Sequence, residues 1–364
     1  VDFQYQQKHY TVERYPLTKK GNLQAWNAAD EHLLQHLENI TLEQKELAIL
    51  NDRFGFLSCL THAYAPSTIQ TNHSHEKALR QNLLYNQIKD ANVSSYTVFN
   101  IPIQSFDVGL LKIPKSLELF RLYLQVLSSK WKQNAVLFCG FMTRHFSPQI
   151  LTIATTFFED VQQSRAWKKS RVLILKSPRK FEDRTILHQI PFQGRTYQQY
   201  FGVFSAKHID YASQFLIANL DVDLNEKVVL DLASGNGILA ATVRQNNANC
   251  TLHLLDDSHL AIASSKLNLS SDNTFFHCNN DLSIFEENYF DCVLSNPPFH
   301  FEYEVSIETS VQLFKEVYNC LKPNGRFIIV ANKHLNYKTH LQRLLFKVTV
   351  VNENEKFVIY ECRK

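Results

Sequence analysis

Val228-Val-Leu-Asp-Leu-Ala-Ser-Gly-Asn-Gly237 decides the fold. A short apolar run ends in a carboxylate and a turn of small residues, and residues 238–245 then carry helical periodicity. That is a buried strand delivering its carboxyl end into a tight turn at a helix N-terminus, the place where open α/β sheets bind ligands. Working outward, residues 252–255, 291–294 and 326–331 read as further strands, and 260–268 and 311–321 as helices between them. A closing pair, 347–351 and 356–361, follows Lys322-Pro-Asn-Gly325 and reads as a hairpin. Strands alternating with helices in this way predict a doubly wound α/β domain with a parallel sheet.

The front of the chain reads as a worn copy of that unit. Asn51, after the run 48–50, is set against Asp231 at an offset of 180. Asp107 to Pro114 is set against Asp291 to Pro298 at 184, and Lys132-Gln-Asn134 against Lys322-Pro-Asn324 at 190. Matches in order with slowly growing offsets imply duplication, so 364 residues are expected to be one fold used twice. The expected boundaries are a degenerate domain at 1–178, a linker or hairpin at 179–200 rich in turn residues, and a catalytic domain at 201–364.

Composition excludes some classes. With 45% hydrophobic and 20% charged residues the chain is neither disordered nor a small stapled scaffold. The net charge of +3 hides an asymmetry: residues 1–180 carry 22 Lys and Arg against 14 Asp and Glu, and residues 181–364 carry 16 against 21. A +8 front half is a candidate polyanion surface, although charge runs also serve as plain solvated faces. Seven cysteines with no C-x-x-C pair give no metal or redox motif and fit a reducing, cytoplasmic setting. No apolar run is long enough to span a bilayer, and the polar start does not read as a signal peptide.

The chemistry sits at the ends of the strands. A dinucleotide fingerprint would require glycine at 233, 235 and 238, and Ile238 breaks it. Asp231, Ala233, Gly235 and Gly237 instead suit the amino and carboxylate groups of S-adenosylmethionine (SAM), though a purely structural turn uses the same residues. Asp256 lies 19 residues past Gly237 at the next strand end, where a carboxylate can take both ribose hydroxyls, with a solvated strand-end acid as the alternative. Asn280, within Asn279-Asn-Asp281, is the candidate reader of adenine, with a polar turn as the alternative. The strongest signal is Ser295-Asn-Pro-Pro-Phe-His300 after the strand 291–294. Two prolines end the strand in a rigid turn. There the Asn296 side-chain carbonyl and the Pro297 backbone carbonyl can accept both hydrogens of a planar exocyclic amine, with Phe299 stacking on its ring. Pro298 and His300 flank the bound base. No metal site is expected.

With these motifs in this order, the back half resembles class I SAM-dependent methyltransferases acting on an amine nitrogen. Asn-Pro-Pro-Phe-His is similar to the ribosomal RNA guanine-N2 enzymes, whereas adenine-N6 and protein glutamine enzymes more often carry Asn-Pro-Pro-Tyr. Leu23-Gln-Ala-Trp-Asn-Ala-Ala-Asp-Glu31, Leu50-Asn-Asp-Arg-Phe-Gly-Phe-Leu-Ser-Cys59, Ala166-Trp-Lys-Lys-Ser-Arg171 and Ile329-Val-Ala-Asn-Lys-His-Leu-Asn-Tyr337 resemble the large-subunit, RlmG-type branch over nearly the whole chain. The family usually has Gly-Cys where Ala233-Ser234 stands. The resemblance implies two tandem Rossmann-like class I methyltransferase domains, the N-terminal one degenerate. It also implies methylation of a guanine N2 in 23S rRNA or its assembly intermediate by a cytoplasmic protein, expected to be a monomer. Lys168, Lys169 and Arg171 are the expected RNA contacts. A 16S rRNA enzyme, an adenine-N6 or protein glutamine methyltransferase, and a catalytically dead RNA-binding scaffold are the alternatives.

Overall fold

The structure is a computed structural model that describes residues 1–17, 23–180, 185–297, 307–344 and 346–364, the side chains of 307–309 excepted. It divides into two compact units, Val1–Ile186 and Leu187–Lys364. The first runs β1 (Asp2–Tyr5), β2 (Lys8–Thr11), α1 (Ala28–Leu37), β3 (Leu47–Leu50), α2 (Phe56–Leu60), β4 (Ser67–Gln70), α3 (His73–Tyr85) and β5 (Ser94–Thr97). It continues with β6 (Phe106–Lys112), α4 (Leu117–Val126), β7 (Trp131–Met142), α5 (Pro148–Phe157), β8 (Phe158–Gln163) and β9 (Ser170–Pro178). The second runs β10 (Leu187–Phe192), β11 (Arg195–Tyr200), α6 (Tyr211–Ala218), β12 (Val228–Leu232), α7 (Ile238–Asn246), β13 (Thr251–Asp256) and α8 (His259–Asn268). It ends with β14 (Thr274–Cys278), β15 (Phe290–Ser295), α9 (Ile307–Cys320), β16 (Leu321–Asn332), α10 (Tyr337–Arg343), β17 (Lys347–Glu353) and β18 (Phe357–Arg363).

The two seven-stranded sheets have the same order, β5-β4-β3-β6-β7-β9-β8 and β14-β13-β12-β15-β16-β18-β17. In each, five parallel strands are followed by two more joined through antiparallel pairings, so only the sixth strand, β9 or β18, runs against the rest. The central strands read as unbroken apolar runs because both faces are covered. In the second unit Val229, Leu239, Val243 and Leu252 pack on one face, and Leu230, Val293, Phe314 and Phe327 on the other. The chain leaves β12 toward β13 and reaches β15 on the opposite side, so a crevice opens at the carboxyl ends of these strands. The hairpin β10–β11 within the expected linker packs on α8, where Asn268 both donates to the Gln198 carbonyl and accepts from its N–H. Six of the seven cysteines are buried, and Cys278 is half-buried.

The pairings fix how the two copies correspond. Asp107 accepts the Glu46 N–H and the Lys132 ammonium, as Asp291 accepts the Val228 N–H and the Lys322 ammonium, which supports the offsets of 184 and 190. For the first strand the register differs from the sequence reading. Leu47 lies opposite Val108 and Val229 opposite Cys292, so the offset is 229 − 47 = 182 and Asn51 corresponds to Ala233 instead of Asp231. Backbone conformation agrees: Asn51 and Ala233 have φ of 57° and 61°, and Gly55 and Gly237 have φ of 73° and 79° as each helix begins. Asp231 therefore has Ile49 as its counterpart, Gly235 has Arg53, and Asn296 has Lys112. With Leu50 beside Ile69 and Leu232 beside Leu255, Asp256 has Gln70.

Candidate active site

Asp231 is the penultimate residue of β12 and is 1% exposed. Its Oδ2 accepts the Ala240 N–H at 3.0 Å, from the first turn of α7, while its Oδ1 is buried with no partner among the described residues. Burial pushes this carboxyl up to about 8, helped by the Asp256 charge and opposed by the Ala240 N–H. The turn that follows is built for close approach. Ala233 and Ser234 both donate their N–H groups to the Leu255 carbonyl, which pins the turn against β13. A side chain at Gly237 would meet Leu269, Ser265 and Leu254 within 3.0–3.2 Å, whereas Gly235 faces open space. Glycine is thus required at 237 by packing and left-handed backbone together, while at 235 it leaves room for a ligand.

Asp256 ends β13. Its Oδ2 accepts the Gly235 N–H at 2.9 Å and its Oδ1 the Ser258 N–H at 2.8 Å, so the expected ribose carboxylate also ties the Gly-rich turn to the start of α8. Burial raises its carboxyl to about 6, with Asp257 adding to the rise. The Asn280 Oδ1, like the Ser234 Oγ, is buried without a partner among the described residues. Unpaired buried polar atoms are costly. Among the described residues Asp231, Ser234 and Asn280 thus present three acceptor atoms without a partner, available to a bound molecule.

At the end of β15, the Ser295 hydroxyl donates to the Leu232 carbonyl at 2.7 Å and locks the two strand ends together. Asn296 follows, with its Nδ2 donating to the Asp210 Oδ2 and to the Ser213 Oγ, each at 2.9 Å. Asp210 also accepts the Ala212 and Ser213 N–H groups as the cap of α6. Behind it, Gln199 is 1% exposed. Its Nε2 reaches the carbonyls of Val203, Phe204 and Ser205, and its Oε1 accepts from the Asn236 side chain in the Gly-rich turn. Sequence reasoning missed Asp210, Ser213 and Gln199, which lie 83 to 97 residues before Asn296 with no spacing to announce them. Pro297 is buried. Pro298, Phe299 and His300 lie outside the described residues.

In the first unit, Lys168, Lys169 and Arg171 stand at the turn from β8 into β9. Lys168 pairs with Glu31 at 3.1 Å and lies 4.5 Å from the Trp167 ring centre, and Lys169 has a left-handed φ of 61°. Arg171 lines a hollow of about 330 Å³ with Phe141, Thr143, Phe146 and Gln163. Lys112 is occupied, bonded to Asp30 at 2.5 Å. Among the described residues no group of three or more metal-ligating side chains comes together, and no helix is long and apolar enough to cross a membrane.

Residues 1–180 match the RLMG N-terminal domain, and residues 195–361 match the methyltransferase small domain. The chain thus carries an RLMG N-terminal domain in tandem with a methyltransferase small domain, an arrangement consistent with the RlmG type. Among solved structures, the Thermus-titled "T. Thermophilus 16S rRNA N2 G1207 methyltransferase (RsmC) in complex with AdoMet and Guanosine" aligns over 100% of this chain and 97% of its own, with 18% identity and a TM-score of 0.79. The tandem fold is therefore shared along the full length. A putative methyltransferase with its Trm112 activator from Haloferax volcanii covers 42% of the chain at 14% identity and a TM-score of 0.35. Human N-acetylserotonin methyltransferase covers the same share at 14% identity and 0.35. Neither of these two adds to the argument. SAM is the donor of the small methyltransferase domain, and the residues of the second unit fit it: among the described residues the buried acceptors of Asp231, Ser234 and Asn280 have no partner, and Gly235 has open space beside it.

Proposed function

We propose that the second unit transfers a methyl group from SAM to the exocyclic N2 amine of a guanine in 23S rRNA, and that the first unit holds the RNA. The carrying observation is the Asn296 amide. Its nitrogen is engaged by Asp210 and Ser213, and among the described residues no donor is bonded to its carbonyl. Bound SAM supplies an activated methyl on a sulfonium. Asp231, with Ala233, Gly235 and Gly237, holds its amino-acid end, Asp256 its ribose, and Asn280 its adenine. Asn296 and Pro297 accept the two amine hydrogens and aim the nitrogen lone pair, countering its delocalisation into the guanine ring. Phe299 stacks on that ring, with Pro298 and His300 beside it. The base must leave its stack to enter.

The guanine reading rests on the Asn-Pro-Pro-Phe-His motif together with the fold shared with an enzyme titled as a guanine-N2 methyltransferase with guanosine. The choice of 23S over 16S rests on the RLMG N-terminal domain match. Lys168, Lys169 and Arg171 contact phosphates of the RNA. Buried unpaired thiols suit a cytoplasmic protein. Mass mapping of modified guanines in rRNA from cells with and without the gene tests the reading, alongside transfer assays on naked 23S rRNA, 16S rRNA, DNA and release factor. Loss of one N2-methylguanine from 23S rRNA is expected. Loss from 16S rRNA, or transfer to DNA or protein alone, overturns it.

A further inference from the structure

We infer that Asp210, assisted by Ser213, is the positioning residue that sets which end of the Asn296 amide faces the substrate and polarises that end. The inference rests on the reading of Asn296 as acceptor of the target amine. An asparagine amide is nearly symmetric in shape, and only its oxygen can accept a hydrogen from an amine. Two neighbours remove the ambiguity. An ionised carboxylate accepts and cannot donate, so at 2.9 Å Asp210 Oδ2 requires the amide nitrogen opposite it, because the flipped amide would place oxygen against oxygen. The Ser213 hydroxyl, also at 2.9 Å, would tolerate either end, so the carboxylate makes the choice.

Asp210 is itself held in place. The same Oδ2 accepts the N–H groups of Ala212 at 3.0 Å and Ser213 at 3.4 Å, where the dipole of α6 favours a negative charge. Just upstream, Gln199 grips the carbonyls of Val203, Phe204 and Ser205, which fixes the loop leading to Asp210. A charged acceptor on one side of an amide strengthens the acceptor on its other side. As the amine nitrogen turns cationic during attack, Asn296 thus presents an oxygen backed by a carboxylate one amide away. Asp210 touches neither substrate nor cofactor and acts through Asn296.

The test is a double-mutant cycle on the full-length protein, read by single-turnover transfer from tritiated SAM to 23S rRNA taken from cells lacking the gene. Asp210→Asn keeps an acceptor and the helix cap but removes the charge and permits the flip. It is expected to slow transfer about tenfold or more at saturating RNA and SAM, Asp210→Ala about a hundredfold, and Ser213→Ala only a few-fold. RNA half-saturation, SAM affinity and Tm of Asp210→Asn should stay near those of the unaltered protein. In the Asn296→Ala background, Asp210→Asn should cost nothing further, because the group it acts through is gone. Costs that add in the double variant, or a slowing of Asp210→Asn matched by lost SAM binding and Tm, assign Asp210 to holding α6 and overturn the inference. Full transfer by Asp210→Asn with Asn296→Ala inactive overturns it alone. Full transfer by Asn296→Ala overturns the reading of the amide, and the inference with it.

Discussion

The two clefts of this chain share a backbone and differ in what their polar groups do. In the second unit, the acceptors Asp231 Oδ1, Ser234 Oγ and Asn280 Oδ1 are buried and have no partner among the described residues. In the first, Asp52 stands where Ser234 does, and its carboxylate is met by the Ser58 N–H and hydroxyl at 2.8 and 2.7 Å. Ser58 is bonded in turn to Thr68 at 2.9 Å. Lys112 in the Asn296 position is neutralised by Asp30, and Gln70 in the Asp256 position donates to the Asp52 carbonyl at 3.4 Å, its Oε1 alone among these atoms lacking a partner. The first cleft closes most of its hydrogen bonds upon itself, while among the described residues the second leaves its acceptors open. The left-handed residues survive in both, because the strand-to-helix turn needs them whether or not anything binds.

The contrast is broken most severely at Asn296. Asn296→Ala should cut methyl transfer about 10² to 10³-fold while calorimetry finds SAM affinity unchanged, and retained activity would leave the two clefts functionally alike. Next comes the carboxylate that the first unit lacks. Asp231→Asn should weaken SAM binding about 10 to 100-fold without lowering the Tm of the ligand-free protein.

The same group predicts a pH dependence. Because its folded value lies above the unfolded one, the stabilisation this carboxyl gives the ligand-free fold is present at low pH and lost as pH rises through about 8. A ligand donating to Oδ1 favours the carboxylate, so SAM binding should release a proton and tighten as pH rises toward 8. Calorimetry in buffers of different ionisation enthalpy reads that proton, and its absence would take Asp231 out of the contact. Neutralising Lys168, Lys169 and Arg171 together should weaken RNA binding several-fold and flatten its log–log salt slope by about 2, with SAM binding unmoved. An unchanged slope would remove this turn of the first unit from the RNA surface. Smallest is Ala233→Gly, which relieves a left-handed alanine and should raise stability by roughly 0.5–1 kcal/mol, seen as a slightly higher Tm.

Much of this was legible in the sequence. The apolar runs around Asp231, Asp256 and Asn296 are bounded by small or polar residues, and each proved to be a strand of a doubly wound sheet. The first-strand correspondence slipped by two residues because Asn51 resembles Asp231 chemically, and a four-residue apolar run carries no mark of register. Conformation, through the positive φ shared by Asn51 and Ala233, supplies that mark. Asp210, Ser213 and Gln199 stayed hidden for a different reason. Their meaning arises only when a loop far back in the chain folds against a strand end, and a lone acid before a helix reads as a cap, which Asp210 also is.

The buried thiols follow from the same packing. Cys139 and Cys292 lie inside their sheets, and burial raises both far above the range in which a thiol is reactive. A thiol of this kind meets an alkylating reagent only when the surrounding unit opens. Cys59 and Cys139 belong to one unit, and Cys250, Cys292, Cys320 and Cys362 to the other. The chain therefore contains two sets of natural timers, and the order in which they are labelled tells whether the copy that has given up its ligand outlasts the one that still needs it.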